Sequence, residues 1–249
     1  MSGHSKWSTI KRKKGAADAK RGQLFTKLAR EIEIAARQGG GDPNVNFTLR
    51  LAIEKARSAN MPKDNIERAI KRGTGELKGD LLEEAFYEAH APNGVAMMVQ
   101  VLTDNRNRTV AHLRRELRRH NAHLGEAGSV AWQFARKGVI MIDVVDGGDA
   151  EELALTAIDS GADDVRIEDD VVEVYTEVAD FQQVREQLEA NDMPVSEAEL
   201  EMVPHTLLEL EKEETIRVVR LVEALEDLDD VQRVFANVDI PDEVFSELL

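Results

Sequence analysis

Seven cations crowd the first 21 residues around one indole: Lys6, Lys11, Arg12, Lys13, Lys14, Lys20 and Arg21 surround Trp7 in MSGHSKWSTIKRKKGAADAKRG. Lysine and arginine neutralise phosphates, and an indole with no core to enter can stack on a base. This stretch is therefore read as a nucleic-acid contact rather than a solubilising tail; His4 alone adds nothing to either reading. A second set lies in NRNRTVAHLRRELRRH. On a helix, Val110, Leu113 and Leu117 form one stripe, Arg108, His112, Arg115 and Arg119 lie opposite, and Arg114 and Arg118 flank. Arg115 and Arg119 stand four apart, a repulsive spacing that only Glu116 is near enough to offset. An anionic partner, or the carboxylates of the rest of the chain, would satisfy the same electrostatics.

Other chemistries are not supported. The chain has no cysteine, hence no disulfide, thiolate nucleophile or Cys-based metal site. His112, His120 and His123 have no carboxylate at a zinc spacing. Asp163-Asp164 and Glu168-Asp169-Asp170 lack the alternating ligands and central glycine of an EF-hand loop. No phosphate-binding Gly loop ending in Lys-Ser/Thr, no strand-linked G-x-G-x-x-G and no G-x-S-x-G turn occurs; EAGSVAW has the wrong glycine arrangement. The expectation is a protein without enzymatic activity, metal or cofactor.

The 249 residues carry a net charge of -16, unevenly spread. Residues 1–75 hold 17 Lys+Arg and 7 Asp+Glu, a net of +10, and the remainder holds 15 and 41, a net of -26. Most of that excess falls in residues 138–249, with 6 bases and 33 acids. A basic end on an acidic body suits a protein that meets a polyanion with one end only. No apolar run approaches the roughly 20 residues of a membrane span, and the N-terminus lacks the apolar stretch of a signal peptide, so a cytosolic protein without membrane contact is expected. With neither a heptad pattern nor an apolar helix left exposed, the expected state is a monomer.

These residues must be positioned by three regions of different pattern. After an arm to about residue 15, Leu24, Leu28, Ile32 and Ala35 mark a helix with Phe25 at the edge of its stripe, ended by Gly39-Gly40-Gly41; Lys20, Lys27, Arg30 and Arg37 point away from that stripe. Helices over Phe47 to Ser58 and from Pro62 to Gly73 complete a basic helical domain, residues 1–75. AFYEAHAPNGVAMMVQVLTD reads as two strands about Pro92-Asn93-Gly94, too apolar near Met97-Met98 for clean alternation, followed by the helix Arg106 to His120. From Gly138 the order is strand, helix, strand, strand, helix, strand, which is the ferredoxin-like order. A tail follows, with a helix from Glu211 to Glu226, a strand near Val231 to Val238 and a helix from Asp242; its available partners are the strands of residues 83–103. The fold class is thus α+β: a helical domain, an α+β domain of residues 76–135 and 206–249, and an acidic ferredoxin-like domain of residues 136–205 inserted in it.

Four stretches in order, MSGHSKW, NMPKDNIERAIKRG, LTDNRNRT and GSVAWQF, together with LEDLDDVQRVFANVDI near the end, resemble the YebC/PmpR family, which has a mitochondrial translational activator branch. The resemblance covers essentially the whole chain. It implies three domains, the third inserted in the second, and a non-enzymatic protein. Bacterial members are described as DNA-binding transcriptional regulators, and others are similar to translation factors acting near the peptidyl-transferase region of the ribosome. It further implies that Ser2, Gly3, His4, Ser5, Lys6 and Trp7 are contact residues. The chain departs from the family's glycine-rich YEGYGPGG loop, reading YEAHAPNGVA, so this backbone must be reachable with fewer glycines. The candidate nucleic-acid interface is therefore the arm residues Ser2 to Trp7, Lys11, Arg12, Lys13 and Lys14, with Lys20, Arg21, Lys27, Arg30, Arg108, Arg115 and Arg119. The partner is DNA or ribosomal RNA; the remaining alternative is an adaptor that binds protein through its acidic face.

Overall fold

The computed structural model describes residues 18–79, 81–145, 148–168 and 170–248. Its first three helices are α1 (Asp18–Gly39), α2 (Phe47–Ser58) and α3 (Lys63–Gly73). Their apolar stripes meet in one cluster that includes Leu28, Ile32, Leu49, Ile53, Ala56 and Ile66. Asn46 fixes the angle between α1 and α2. Its Oδ1 accepts from the Leu49 N–H at 3.1 Å, capping α2, while its Nδ2 donates to the carbonyls of Ala35 and Gly40 at 2.8 and 2.7 Å. α3 ends at Gly73, where the sequence placed its end. A Cβ there would stand 2.4 Å from the Glu33 carbonyl oxygen and 2.7 Å from the Ala36 Cβ. Glycine is present because α1 and α3 touch at that point.

The strands that follow, β1 (Glu83–His90) and β2 (Ala96–Thr103), form a hairpin in register from Glu83↔Thr103 to His90↔Ala96. The turn uses a 3-10 segment, Pro92–Gly94, in which Asn93 has φ +63° and Gly94 φ +80°. Asparagine tolerates the left-handed region, so one glycine suffices. After α4 (Arg106–Arg119) comes β3 (His123–Leu124), a two-residue strand with no sequence signature of its own. The tail supplies α7 (Lys212–Glu226), β8 (Val231–Ala236) and α8 (Asp242–Leu248). The sheet order is β3-β1-β2-β8, so the tail strand does pair with the early hairpin. Met97, Val99 and Val101 join the core with Leu113 and Leu117 of α4 and Val218, Leu221 and Leu225 of α7. Met98 and Leu102, on the opposite face, are buried too. Burial on both faces is why β2 lacks alternation.

Between these halves run β4 (Phe134–Asp143), α5 (Ala150–Asp159), β5 (Asp164–Glu168), β6 (Val171–Thr176), α6 (Phe181–Ala190) and β7 (Val195–Pro204). Their sheet order, β5-β6-β4-β7, is the ferredoxin-like arrangement. Ile140, Ile142, Val172, Val174, Phe181 and Leu188 are among its fully buried apolar groups. β4, inside the sheet, and β7, on its edge, both run longer than the apolar residues alone mark, starting at Phe134 and Val195. Two compact units result, Met1–Gln133 with Pro204–Leu249, and Phe134–Val203. The helices α1–α3 belong to the first.

The α1–α3 contact at Gly73 makes a direct test. Gly73→Ala should lower stability by about 1–3 kcal/mol, because the added methyl meets backbone rather than a movable side chain. Chemical denaturation of wild type and variant measures it.

Candidate nucleic-acid interface

The arm residues Ser2, Gly3, His4, Ser5, Lys6, Trp7, Lys11, Arg12, Lys13 and Lys14 lie outside the described residues, and of Lys20 only the backbone, in α1, is described. Arg21 is exposed. The other cations of α1 do not simply face water. Lys27 donates to the Glu226 carbonyl. Arg30 Nη1 reaches the Asp229 carbonyl at 2.6 Å, the Asp230 Oδ1 at 2.9 Å and the Leu102 carbonyl at 3.2 Å. Arg37 bonds the Leu82 carbonyl at 2.6 Å and Glu33 at 2.8 Å. The polar face of α1 is thus laid along the turn between α7 and β8.

Asp230 is the hub of that contact. It is 5% exposed and accepts from Arg30, from Arg108 Nη2 at 3.1 and 3.2 Å, and from the Thr109 hydroxyl at 2.7 Å. Burial pushes its carboxyl up, but the Thr109 and Arg108 hydrogen bonds and the Arg30 and Arg108 charges outweigh that, leaving it below the usual aspartate range. Asn105, whose Oδ1 accepts from the Arg108 N–H at 3.1 Å, caps α4 and so aims Arg108 and Thr109 at the hub. Arg108 also bonds Asp104 at 2.5 Å. Of the sequence candidates, Arg30 and Arg108 converge here, on a carboxylate of the chain itself.

Arg115 and Arg119 have the same fate. Both bond Glu116, at 3.1 and 3.2 Å, and Glu116 is 7% exposed. Burial raises the Glu116 carboxyl, and the two guanidiniums more than reverse the effect. The repulsion across one helical turn is relieved by the carboxylate between them. Arg114 and Arg118, the flanking pair, are exposed and have no carboxylate partner among the described residues. The same is true of Arg57 on α2 and of Arg68, Lys71 and Arg72 on α3. Arg57, Arg68, Lys71 and Arg72 were not singled out from the sequence, and Arg114 and Arg118 entered only as flanking residues; the signal was a surplus of arginine over glutamate on α3 and α4, which does not say which arginines the glutamates take.

The GSVAWQF stretch gains a structural reason. Glu88 of β1 accepts the backbone N–H groups of Gly128, Val130 and Ala131 at 2.6, 2.6 and 2.8 Å. Burial raises its carboxyl, but these three donors outweigh that and hold it below the usual glutamate range. The loop so held presents Trp132 72% exposed, its Nε1 donating to the Ser129 carbonyl at 3.2 Å. Among the described residues, no group of three or more His, Asp or Glu is placed to hold a metal ion, and no helix is long and apolar enough to cross a membrane.

Two family models account for nearly the whole chain: the TACO1/YebC protein N-terminal domain over residues 5–76, and the TACO1/YebC second and third domain over residues 82–238. The chain belongs to the TACO1/YebC family. A relative from Dictyoglomus turgidum is 51% identical over 248 residues, covering all of both chains, and one from Geobacter sulfurreducens is 52% identical over 251 residues, again covering both. Each is named "Probable transcriptional regulatory protein". A conserved hypothetical protein from Aquifex aeolicus, solved by crystallography, is 46% identical and superposes with a TM-score of 0.82 over 90% of this chain and 92% of that one. At the level of the family, the protein is a regulator of gene expression. Its relatives' names describe a regulatory protein, not an enzyme.

Two carboxylates carry predictions. Asp230→Asn should cost about 2–4 kcal/mol at neutral pH, since Arg30 and Arg108 lose their shared charge. A carboxylate with a lowered folded pKa stabilises fully above the ordinary aspartate range, about pH 4, and less as the pH falls through the depressed value. The gap between wild type and Asp230→Asn should therefore narrow in acid, as denaturation across pH will show. Glu88→Gln should speed hydrogen exchange at Gly128, Val130 and Ala131 by about tenfold, the equivalent of ~1.4 kcal/mol in local opening.

Proposed function

We propose that this family member is a nucleic-acid-binding regulator of gene expression without enzymatic activity, contacting its target through the basic arm and the uncompensated cations of α2, α3 and α4. One observation carries the reading. Although the chain carries 48 carboxylates, Arg57, Arg68, Lys71, Arg72, Arg114 and Arg118 remain exposed without a carboxylate partner among the described residues. Internal pairing has taken Arg30, Arg108, Arg115 and Arg119, so these four act first as structural cations, and the interface shifts to the others. The arm residues Ser2 to Trp7 and Lys11 to Lys14 keep the role that their types suggest, phosphate neutralisation with Trp7 stacking. The acidic ferredoxin-like unit repels phosphate backbones and confines binding to the basic end.

The relatives' names favour transcription, hence DNA. Ribosomal RNA is the second reading, favoured by the exposed Trp132 on its braced loop: a fixed aromatic face suits bases that are already unstacked. The test is binding to duplex DNA and to structured RNA across salt concentrations, with sedimentation from lysate before and after ribonuclease treatment. Deleting residues 2–14 removes five Lys and Arg, and should weaken binding and flatten the slope of log affinity against log salt by about 3–4 units, near the limit of ~0.9 per lost phosphate contact. An unchanged slope removes the arm from the interface. Ribonuclease-sensitive migration with ribosomal particles selects RNA, and salt-sensitive retention on DNA alone selects transcription.

A further inference from the structure

The two unpaired arginines of α4 border a cavity of about 450 Å³. It exists because β3 is only two residues long. β3 pairs with β1 at Ala89↔Leu124 and His90↔His123, and among the described residues β1 from Glu83 to Tyr87 has no strand partner on that edge. Tyr87 lines the gap from the sheet, while Val110, Arg114 and Arg118, spaced four apart along one stripe, line it from α4. His123 completes the wall, its imidazole stacked on that of His90 with centroids 5.2 Å apart. One carboxylate, Glu126, is on the rim and is exposed.

We infer that this cavity takes a single unstacked nucleotide of a single-stranded nucleic acid, with its phosphate on Arg114 and Arg118 and its base against Tyr87 and His123. The inference rests on the nucleic-acid reading above and assigns it a site. The geometry excludes simpler occupants. Two guanidiniums on one stripe present paired donors suited to a phosphate, and among the described residues no carboxylate bonds either of them. An inorganic anion would leave the aromatic wall unused. The volume falls in the range of small-ligand clefts, large enough for a nucleotide. A base held in a duplex cannot enter, because its faces are covered by its neighbours; a base splayed from a loop or a single strand can. The Glu116 pairing adds selectivity, since it draws Arg115 and Arg119 off and leaves only the cavity-facing arginines of α4 open to a phosphate.

The experiment is fluorescence anisotropy of the full chain with labelled single-stranded RNA of about ten nucleotides, the same sequence as single-stranded DNA, and the corresponding duplexes. Arg114→Gln combined with Arg118→Gln should weaken single-strand binding about tenfold or more and duplex binding much less. Because both side chains are exposed, the fold should survive, as circular dichroism will report. Tyr87→Leu should weaken the same binding and Tyr87→Phe should retain it, which separates stacking from charge. Arg166→Gln with Arg185→Gln, an equal charge loss on the ferredoxin-like unit, should change little. Equal losses in the two double variants would reduce the effect to bulk charge and overturn the site. If deleting residues 2–14 abolishes binding while the Arg114/Arg118 double variant binds as wild type, the cavity is not the site and the broader reading stands. If the wild type binds neither RNA nor DNA, both fall. Preference for the RNA strand over its DNA counterpart would assign part of the recognition to the ribose hydroxyl.

Discussion

The first unit depends on Asp230. It stands on the turn between α7 and β8, and it draws in Arg30 from α1 and both Arg108 and Thr109 from α4. Three elements far apart in the chain meet on one buried carboxylate, and the contact is polar throughout. Such a contact is directional: a guanidinium that misses the carboxylate by an ångström leaves a buried charge uncompensated, whereas apolar faces can slide. The position of the basic helices on the first sheet is specified by this set of donors, and the cations of α2 and α3 inherit their placement from it.

The acidity of the chain has more than one use. Asp230, Glu88 and Glu116 are each held below the ordinary range by donors the fold aims at them, and each organises something different: a helix contact, a loop, and a pair of arginines. On the ferredoxin-like unit Lys137 is drawn upward in turn, chiefly by its hydrogen bond to Glu177 with Asp163 assisting. The basic surface is defined by subtraction. What the internal carboxylates do not claim is what a phosphate can reach.

The element order was legible because most elements carry one dominant period. α2 and α6 span the residues their apolar spacing marks, and the α+β class with an inserted ferredoxin-like unit follows from the order of strands and helices. β3 escaped because two residues have no period, and β7 extended beyond its apolar core because edge pairing needs only backbone. Gly73 was legible as the end of α3 but not as its contact with α1, because a sequence does not show that another helix touches it. The candidate site was legible as a charge and a residue type. It was not legible as a partition: Arg114 and Arg115 are adjacent, chemically identical and equally helical, and only the position of Glu116 in the packed structure separates the engaged one from the open one. Lys27 and Arg30 followed the rule that polar faces point away from a helix's own core, and on this helix that direction leads to the α7–β8 turn.

The insertion of the second unit carries a consequence for how the first one closes. β4 and β7 are neighbours in their sheet, and the flanking residues Gln133 and His205 are joined by a backbone hydrogen bond of 2.8 Å. Once the inserted unit has folded, its two ends are already together. For the outer unit the 127 residues between β2 and β8 then count as 57, because the 70 of the insert are already closed, a saving of about 0.7 kcal/mol in loop-closure entropy. Folding order thereby becomes a property of the topology: the insert formed first acts as a clasp for the chain around it.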